Sequence, residues 1–106
     1  MNNSAAHTAL VNDVLIEISP LGLAYKNNTG AIKTEDRFIR YGLQGSSDII
    51  ACIKSRFVGI ECKTGTGRVQ KNQGDFATAL TSAGGLYIVA RSVDDVTSAL
   101  KLEGLA

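Results

Sequence analysis

Apolar positions recur at helical spacing in three stretches of the chain. In the first stretch, Leu10, Val14 and Ile18 follow one another at intervals of four residues, and Pro20 ends the pattern. The same kind of period appears before the pair Gly84-Gly85, and again near the end of the sequence. The sequence therefore predicts helices over residues 5–19, 69–83 and 93–102.

Short apolar runs bounded by glycine and polar residues predict strands elsewhere. These runs cover residues 23–27, 37–41, 48–53, 57–63 and 86–90. Only residues 54–56 separate the third run from the fourth, so we expect these two strands to form an antiparallel pair at the centre of a sheet. The order of elements predicts a single α/β domain over residues 1–106, with a central mixed β-sheet flanked by helices.

Composition places the chain among ordinary folded proteins. Apolar residues make up 44% of its 106 residues and charged residues 20%. No apolar run approaches the roughly 20 residues that a membrane-spanning helix needs. The first residues lack a basic region ahead of an apolar core, so we expect no secretory signal and a cytoplasmic location, with no membrane partner.

The cysteines and the single histidine limit the possible chemistry. Cys52 and Cys62 lie in strand-like apolar runs, which favours buried free thiols, with a disulfide as the alternative. His7 is the only histidine. A structural zinc site of the Cys/His type and a Ser-His or Cys-His catalytic pair are therefore disfavoured.

The formal net charge of +1 does not by itself indicate a nucleic-acid-binding protein. The basic residues are nevertheless concentrated in two segments, residues 26–40 and 54–71, whereas both ends of the chain are acidic. A DNA-binding surface and ordinary solvated charge are both compatible with this distribution.

One strand carries charges where apolar residues are expected. Side chains alternate between faces along residues 57–63, so Glu61 and Lys63 share a face about 6–7 Å apart. Asp48 opens the preceding strand, and the short connection brings it beside the end of this one. Two carboxylates on rigid strands suit Mg²⁺ or Mn²⁺, and an adjacent lysine completes a minimal kit for phosphodiester hydrolysis. The alternative is a structural ion pair between Lys63 and one of the carboxylates.

Several motifs together resemble the VRR-NUC family of the PD-(D/E)xK nuclease superfamily. They are Gly45-Ser46-Ser47-Asp48, Gly59-Ile60-Glu61-Cys62-Lys63-Thr64, Gly67-Arg68-Val69, Gln73, Gly84-Gly85 and the segment from Val89 to Asp94. The resemblance covers about half of the chain, from Gly42 to Val96, and the short chain resembles stand-alone viral or prophage members. It implies a restriction-endonuclease-like core and a metal-dependent endodeoxyribonuclease.

The resemblance also implies roles for individual residues. Asp48 and Glu61 match the acidic metal ligands, and the backbone carbonyl of Cys62 matches a third ligand. Lys63 matches the catalytic lysine. Gln73 matches a glutamine that reaches the site from the following helix. Without the resemblance, Gln73 would be interpreted as a solvated helix residue.

The first helix departs from the superfamily pattern, which usually carries an acid facing the metal there. His7 stands near the expected position and is a candidate ligand, with Asp13 as the second choice. An N-terminal helix residue without a functional role is the alternative interpretation of His7. The departure leaves the number of metal ions open.

Contacts to DNA are predicted less sharply. Arg68 and Lys71 flank the glycine-rich segment 64–68 and are candidates for phosphate contacts, as is Arg91. No element typical of base-specific recognition is present in the sequence. The resemblance implies a homodimer that cuts branched DNA such as four-way (Holliday) junctions. The alternatives are a nicking or restriction-like nuclease on non-branched DNA and a catalytically inert DNA-binding module.

Overall fold

The fold combines three helices with a central sheet and a separate β-hairpin. The computed structural model describes residues 4–106. A short 3-10 turn, Ser19–Leu21, follows the first helix. The elements in chain order are α1 (Ser4–Ile18), β1 (Leu23–Lys26), β2 (Gly30–Lys33), β3 (Phe38–Tyr41), β4 (Ile49–Ile53), β5 (Arg56–Cys62), α2 (Lys71–Ser82), β6 (Leu86–Ala90) and α3 (Val93–Leu102).

The central sheet has the strand order β1-β4-β5-β6. Strands β1, β4 and β5 are antiparallel neighbours, whereas β6 pairs with β5 in parallel after the crossover through α2. The prediction of a mixed α/β domain with a mixed central sheet is therefore confirmed, as is the central antiparallel pair of β4 and β5.

One face of the sheet forms the hydrophobic core with α1 and α3. Alternation along β5 directs Val58, Ile60 and Cys62 into this core, where all three are fully buried. The helices contribute apolar side chains at helical spacing, such as Val14 from α1 and Leu100 from α3. Ser92 caps the start of α3, because its side-chain oxygen accepts a hydrogen bond from the Asp95 N–H at 3.2 Å.

The opposite face is covered only in part, by α2, and none of the residues of this helix is fully buried. Gly59 allows the helix to approach β5. A Cβ atom at this position would lie 2.6 Å from the Ser47 Oγ and 3.0 Å from a methyl carbon of Leu80. Phe57 and Cys52 form a cross-strand pair on the same face and are both exposed.

Both cysteines are free. Cys62 is buried as predicted, but the prediction that Cys52 is buried was wrong. Residue 52 points to the face of the sheet that α2 covers incompletely, so an apolar strand sequence did not guarantee burial on both faces.

The sequence did not predict strand β2, which pairs with β3 in a hairpin outside the central sheet. Only Ile32 among its four residues has a strong preference for strands, and Gly30 disfavours one, so the segment gave no strand signal. The β4–β5 connection is also tighter than predicted. Arg56 belongs to β5, and Lys54 and Ser55 form a two-residue turn with φ of 50° and 68°.

None of the helices within residues 4–106 has the length and apolar character needed to cross a bilayer.

Candidate active site

Three elements meet at the edge of the sheet where Asp48 precedes β4 and Cys62 ends β5. The Cys62 N–H donates a hydrogen bond to the Asp48 Oδ2 at 2.8 Å, which fixes the carboxylate against the neighbouring strand. From α1, the His7 Nε2 lies 3.1 Å from the same Oδ2 and 3.1 Å from the Cys62 carbonyl oxygen. An imidazole nitrogen, a carboxylate oxygen and a main-chain oxygen therefore converge at one point.

A second network, adjacent in sequence, lies on the α2 side of the sheet. The Lys63 Nζ is 3.2 Å from the Glu61 Oε2 and donates to the Gln73 Oε1 at 2.9 Å. The Gln73 amide nitrogen donates in turn to the Glu61 Oε2 at 2.6 Å. Glu61 is only 3% exposed and Lys63 4%. The hydrogen bonds with Gln73 and the contact between the two charges therefore give each buried charge the partners that it requires.

Gln73 also holds the start of α2. Its Oε1 accepts a hydrogen bond from the Gln70 backbone N–H at 2.8 Å, within a capping box at the first turn. The helix begins at Lys71, two residues later than predicted, so Gln73 is the third residue of the helix. Gln73 therefore lies at the site, in contact with Lys63 and Glu61. The residue pattern alone, without the family resemblance, had favoured a solvated side chain.

The site carries more negative charge than its lysine offsets. Burial raises the pKa of Glu61, the charge of Asp48 raises it further, and Lys63 acts in the opposite direction. Because two carboxylates interact unfavourably here, a bound cation would stabilise the ionised form of both. This is the electrostatic character expected of a cation-binding site.

The donor atoms are of types that bind divalent cations. Two distances among them, 3.1 Å from the His7 Nε2 to the Asp48 Oδ2 and 3.1 Å to the Cys62 carbonyl oxygen, are hydrogen-bonding distances. They are also compatible with two ligands of one octahedral ion, which lie about 3 Å from one another. Among residues 4–106, no three His, Cys, Asp or Glu side chains form a metal-holding group. Two features explain this. One of the converging donors is a main-chain oxygen, and the Glu61 carboxylate contacts Lys63 and Gln73.

Cys62 contributes to this edge through its main chain only. Its thiol points into the core on the other face of the sheet, and burial raises the pKa of the thiol to about 12. At neutral pH this thiol is therefore protonated, and it is neither a nucleophile nor a metal ligand.

The remaining predicted residues occupy different positions. Asp13 is exposed on α1, so His7 and not this second choice reaches Asp48. Lys71 is exposed and pairs with Asp75 at 2.9 Å, and Arg68 is exposed in the loop before α2. Arg91 donates hydrogen bonds to the carbonyl oxygens of Gly65 and Gly67, at 3.2 and 2.6 Å, and so holds the glycine-rich loop in place.

The sequence did not single out Asn27, although it supports the site directly. Its N–H donates to the Asp48 carbonyl oxygen at 2.8 Å, and its side-chain amide donates to the Ser46 Oγ at 2.7 Å and to the Ser47 carbonyl oxygen at 2.9 Å. Asn27 begins the predicted turn Asn27-Asn28-Thr29-Gly30, and that turn gave no signal of a contact with the segment before β4.

Tyr87 is a second residue that the sequence did not indicate. It lies opposite Gly59 on β6, and its ring packs edge-on against Phe76. Its hydroxyl is buried without a hydrogen-bond partner among residues 4–106. Burial, together with the charges of Glu61 and Asp48, raises the pKa of the phenol to about 12. At neutral pH the phenol is therefore protonated.

Comparison with models of known protein families gives no match for this sequence. Comparison with curated proteins gives no significant match either. The resemblance to VRR-NUC nucleases therefore rests on the sequence motifs alone.

Proposed function

We propose that the protein is a metal-dependent endodeoxyribonuclease of the VRR-NUC type, with a restriction-endonuclease-like fold. The observation that carries the proposal is the convergence of His7, Asp48 and the Cys62 carbonyl beside the buried Glu61–Lys63 pair. Three chain segments, at least thirteen residues apart, supply these groups. They form a cation site next to a buried ammonium group, an arrangement suited to a phosphodiester.

In this proposal Asp48, Glu61 and the Cys62 carbonyl hold Mg²⁺ or Mn²⁺, and His7 takes the position of the usual acid on the first helix. When bound, such an ion offsets phosphate charge and lowers the pKa of a water molecule, so that the water becomes a better nucleophile. The Cys62 N–H keeps the Asp48 carboxylate oriented by its 2.8 Å hydrogen bond.

Lys63 supplies positive charge where the scissile phosphate gains negative charge. Its ammonium group is buried, and the Glu61 and Gln73 side chains fix its position. A charged donor that is already in position stabilises the charge that develops in the transition state, because no reorganisation is needed when the reaction occurs. Gln73 acts as a positioning residue because it contacts both Lys63 and Glu61.

The proposed substrate is branched DNA, such as a four-way junction, cut by a homodimer. Two copies would supply two cuts and would double a modest basic surface. Arg68 and Lys71 are exposed beside the glycine-rich loop and are the proposed phosphate contacts there. Arg91 contributes by holding that loop through its two carbonyl contacts.

The Glu61–Lys63 ion pair also agrees with a purely structural interpretation, because the two atoms are 3.2 Å apart. That interpretation would treat the His7–Asp48 contact at 3.1 Å as a second structural pair. It leaves the Glu61 and Asp48 carboxylates interacting unfavourably at one edge of the sheet, where Glu61 is buried. A cation bound at this edge would offset that repulsion, which favours the proposal.

Metal binding is expected to raise the melting temperature of the protein. At a Mn²⁺ concentration a hundredfold above Kd, binding to the native state alone adds about 2.7 kcal/mol. For a domain of this size that corresponds to a rise of roughly 10 °C or more. Asp48→Asn should abolish the rise, because it removes a charged ligand while an amide oxygen can still accept the Cys62 N–H.

Asp13→Asn is the matched control, since it removes an exposed carboxylate from α1 and should leave the Mn²⁺ effect intact. Thermal denaturation of the three proteins, with and without Mn²⁺, measures the effect. An equal rise in all three would show that the ion does not bind at Asp48.

The proposed activity is tested by cleavage of labelled DNA. A four-way junction, a linear duplex of matched sequence and a single strand are incubated with the protein, with and without Mg²⁺ or Mn²⁺. We expect cleavage that requires the metal and is fastest on the junction, with sedimentation showing a dimer.

The outcomes separate the parts of the proposal. Equal cutting of junction and duplex by a monomer would remove branched DNA and the dimer while leaving a nuclease. DNA binding without cleavage of any substrate would indicate an inert DNA-binding module. Cleavage that persists in a metal chelator would contradict the cation site itself.

A further inference from the structure

The β2–β3 hairpin has two chemically different faces. Its register pairs Ala31 with Arg40 and Lys33 with Phe38, so these side chains share a face that we call the cationic face. The Arg40 guanidinium carbon lies 5.1 Å from the centre of the Phe38 ring, which holds the charge over the strand pair. The other face, the apolar face, carries Ile32, Ile39 and Tyr41.

The hairpin stands apart from the folded core. Residues 31–41 are all exposed, and none of them belongs to the hydrophobic core. Such an element adds little to the stability of the domain through burial. Its sequence therefore requires another explanation.

The hairpin begins and ends at the edge that holds the candidate active site. Asn27, three residues before β2, is tied to the Asp48 carbonyl oxygen, and its side chain is tied to Ser46 and Ser47. The chain after β3 runs through residues 42–47 into Asp48. At about 3.3 Å per residue, the strands and their tip extend roughly 20 Å from this base.

The positive charges of the hairpin have no ionic partner within residues 4–106. Of the ion pairs there, none involves Lys33, Arg37 or Arg40. The two acids of the segment, Glu35 and Asp36, lie at its tip between the strands. The cationic face is therefore free to meet an external polyanion.

We propose that the β2–β3 hairpin is a DNA-holding arm, whose Lys33 and Arg40 contact backbone phosphates of the DNA segment next to the scissile phosphate. This inference rests on the proposed nuclease function and adds to it the element that holds the substrate. A two-stranded β-ribbon fits the major groove of B-DNA, which is about 12 Å wide. Contacts from lysine and arginine to phosphates position DNA without reading its sequence.

The test compares two variants that each lose two positive charges. Lys33→Gln/Arg40→Gln removes the charges from the cationic face. Lys54→Gln/Lys101→Gln removes two from the opposite end of the sheet, where the Lys54 Nζ binds the Gly104 carbonyl oxygen. Binding of labelled junction and duplex is measured at several salt concentrations, with Ca²⁺ in place of Mg²⁺ and with intact DNA verified after each titration.

We expect the hairpin variant to bind DNA at least tenfold more weakly at moderate salt. Removing one basic side chain from a DNA phosphate lowers the slope of log K against log salt by about 1, so the slope should fall by about 2. The Mn²⁺-induced rise in melting temperature should be unchanged, because the metal ligands are intact. The control variant should keep the slope of the unmodified protein.

Two results would overturn the arm. The first is an unchanged slope in the hairpin variant while the unmodified protein binds and cuts DNA, which would leave the nuclease in place. The second is a hairpin that serves only as an interface between copies. In that case the apolar-face variant Ile32→Ser/Ile39→Ser and the charge variant would both sediment as monomers. Their weaker DNA binding would then follow entirely from loss of the dimer. If the unmodified protein neither binds nor cuts DNA, the proposed function fails together with the arm.

Discussion

Lys63→Ala should lower the rate of DNA cleavage by about a thousandfold. Removal of one positioned donor from a charge-stabilising site costs about 10²–10³ in rate. Here the same substitution also leaves Glu61 with only Gln73 to hold it. Single-turnover cleavage at saturating protein measures the chemical step, and the loss should appear there and not in DNA affinity.

Two companion variants separate a catalytic effect from a folding effect. Lys101→Ala removes an exposed lysine from the last turn of α3, which has no role in the proposed site, so it should retain most of the cleavage rate. Lys63→Met keeps a long apolar side chain in the buried position but has no charge, so it should be as slow as Lys63→Ala. Retention of full activity in Lys63→Met with a normal melting curve would contradict the role of the ammonium group.

Ile60→Ala should have the largest effect on stability, lowering the free energy of unfolding by about 2–5 kcal/mol. Ile60 lies in the middle of β5, is 0% exposed and packs in the core against α1 and α3. The smaller side chain loses burial and leaves a cavity that the paired strands cannot close. Urea denaturation should show a lower midpoint, because a domain of this size is stabilised by only about 5–15 kcal/mol.

Ile16→Ala makes the same chemical change at a position that is 72% exposed on α1. Its free energy of unfolding should differ from that of the unmodified protein by no more than about 0.5 kcal/mol. Similar losses in both variants would mean that the core is not formed as described.

The central part of the site could be predicted because local sequence determines it. Alternation along β5 and a short connection to β4 are enough to bring Asp48, Glu61 and Lys63 to one edge of the sheet. The order of helices and strands was sufficient to predict the mixed α/β architecture, because α1, β4, β5, β6 and α3 carry their core side chains at helical or strand spacing.

Long-range contacts between polar residues could not be predicted in this way. The distance from His7 to Asp48 depends on how α1 lies across the sheet, and the anchoring of Asn27 depends on the path of the whole hairpin. Strand β2 was not predicted because only Ile32 among its four residues strongly favours strand structure. Its partner β3 is equally exposed but carries Phe38, Ile39 and Tyr41, and these residues did predict a strand.

The capping box of α2 connects the order of the candidate active site to the stability of one helix. Gln73 closes the first turn of α2 and also holds Lys63 and Glu61. Because α2 has no fully buried residue, its first turn can open at a lower free energy than the core elements. Each such opening would release the lysine from its fixed orientation. In the proposed nuclease, the fraction of molecules ready for reaction would then be set by a local helix–coil equilibrium, which a substrate lying against the start of α2 would shift toward the ordered form.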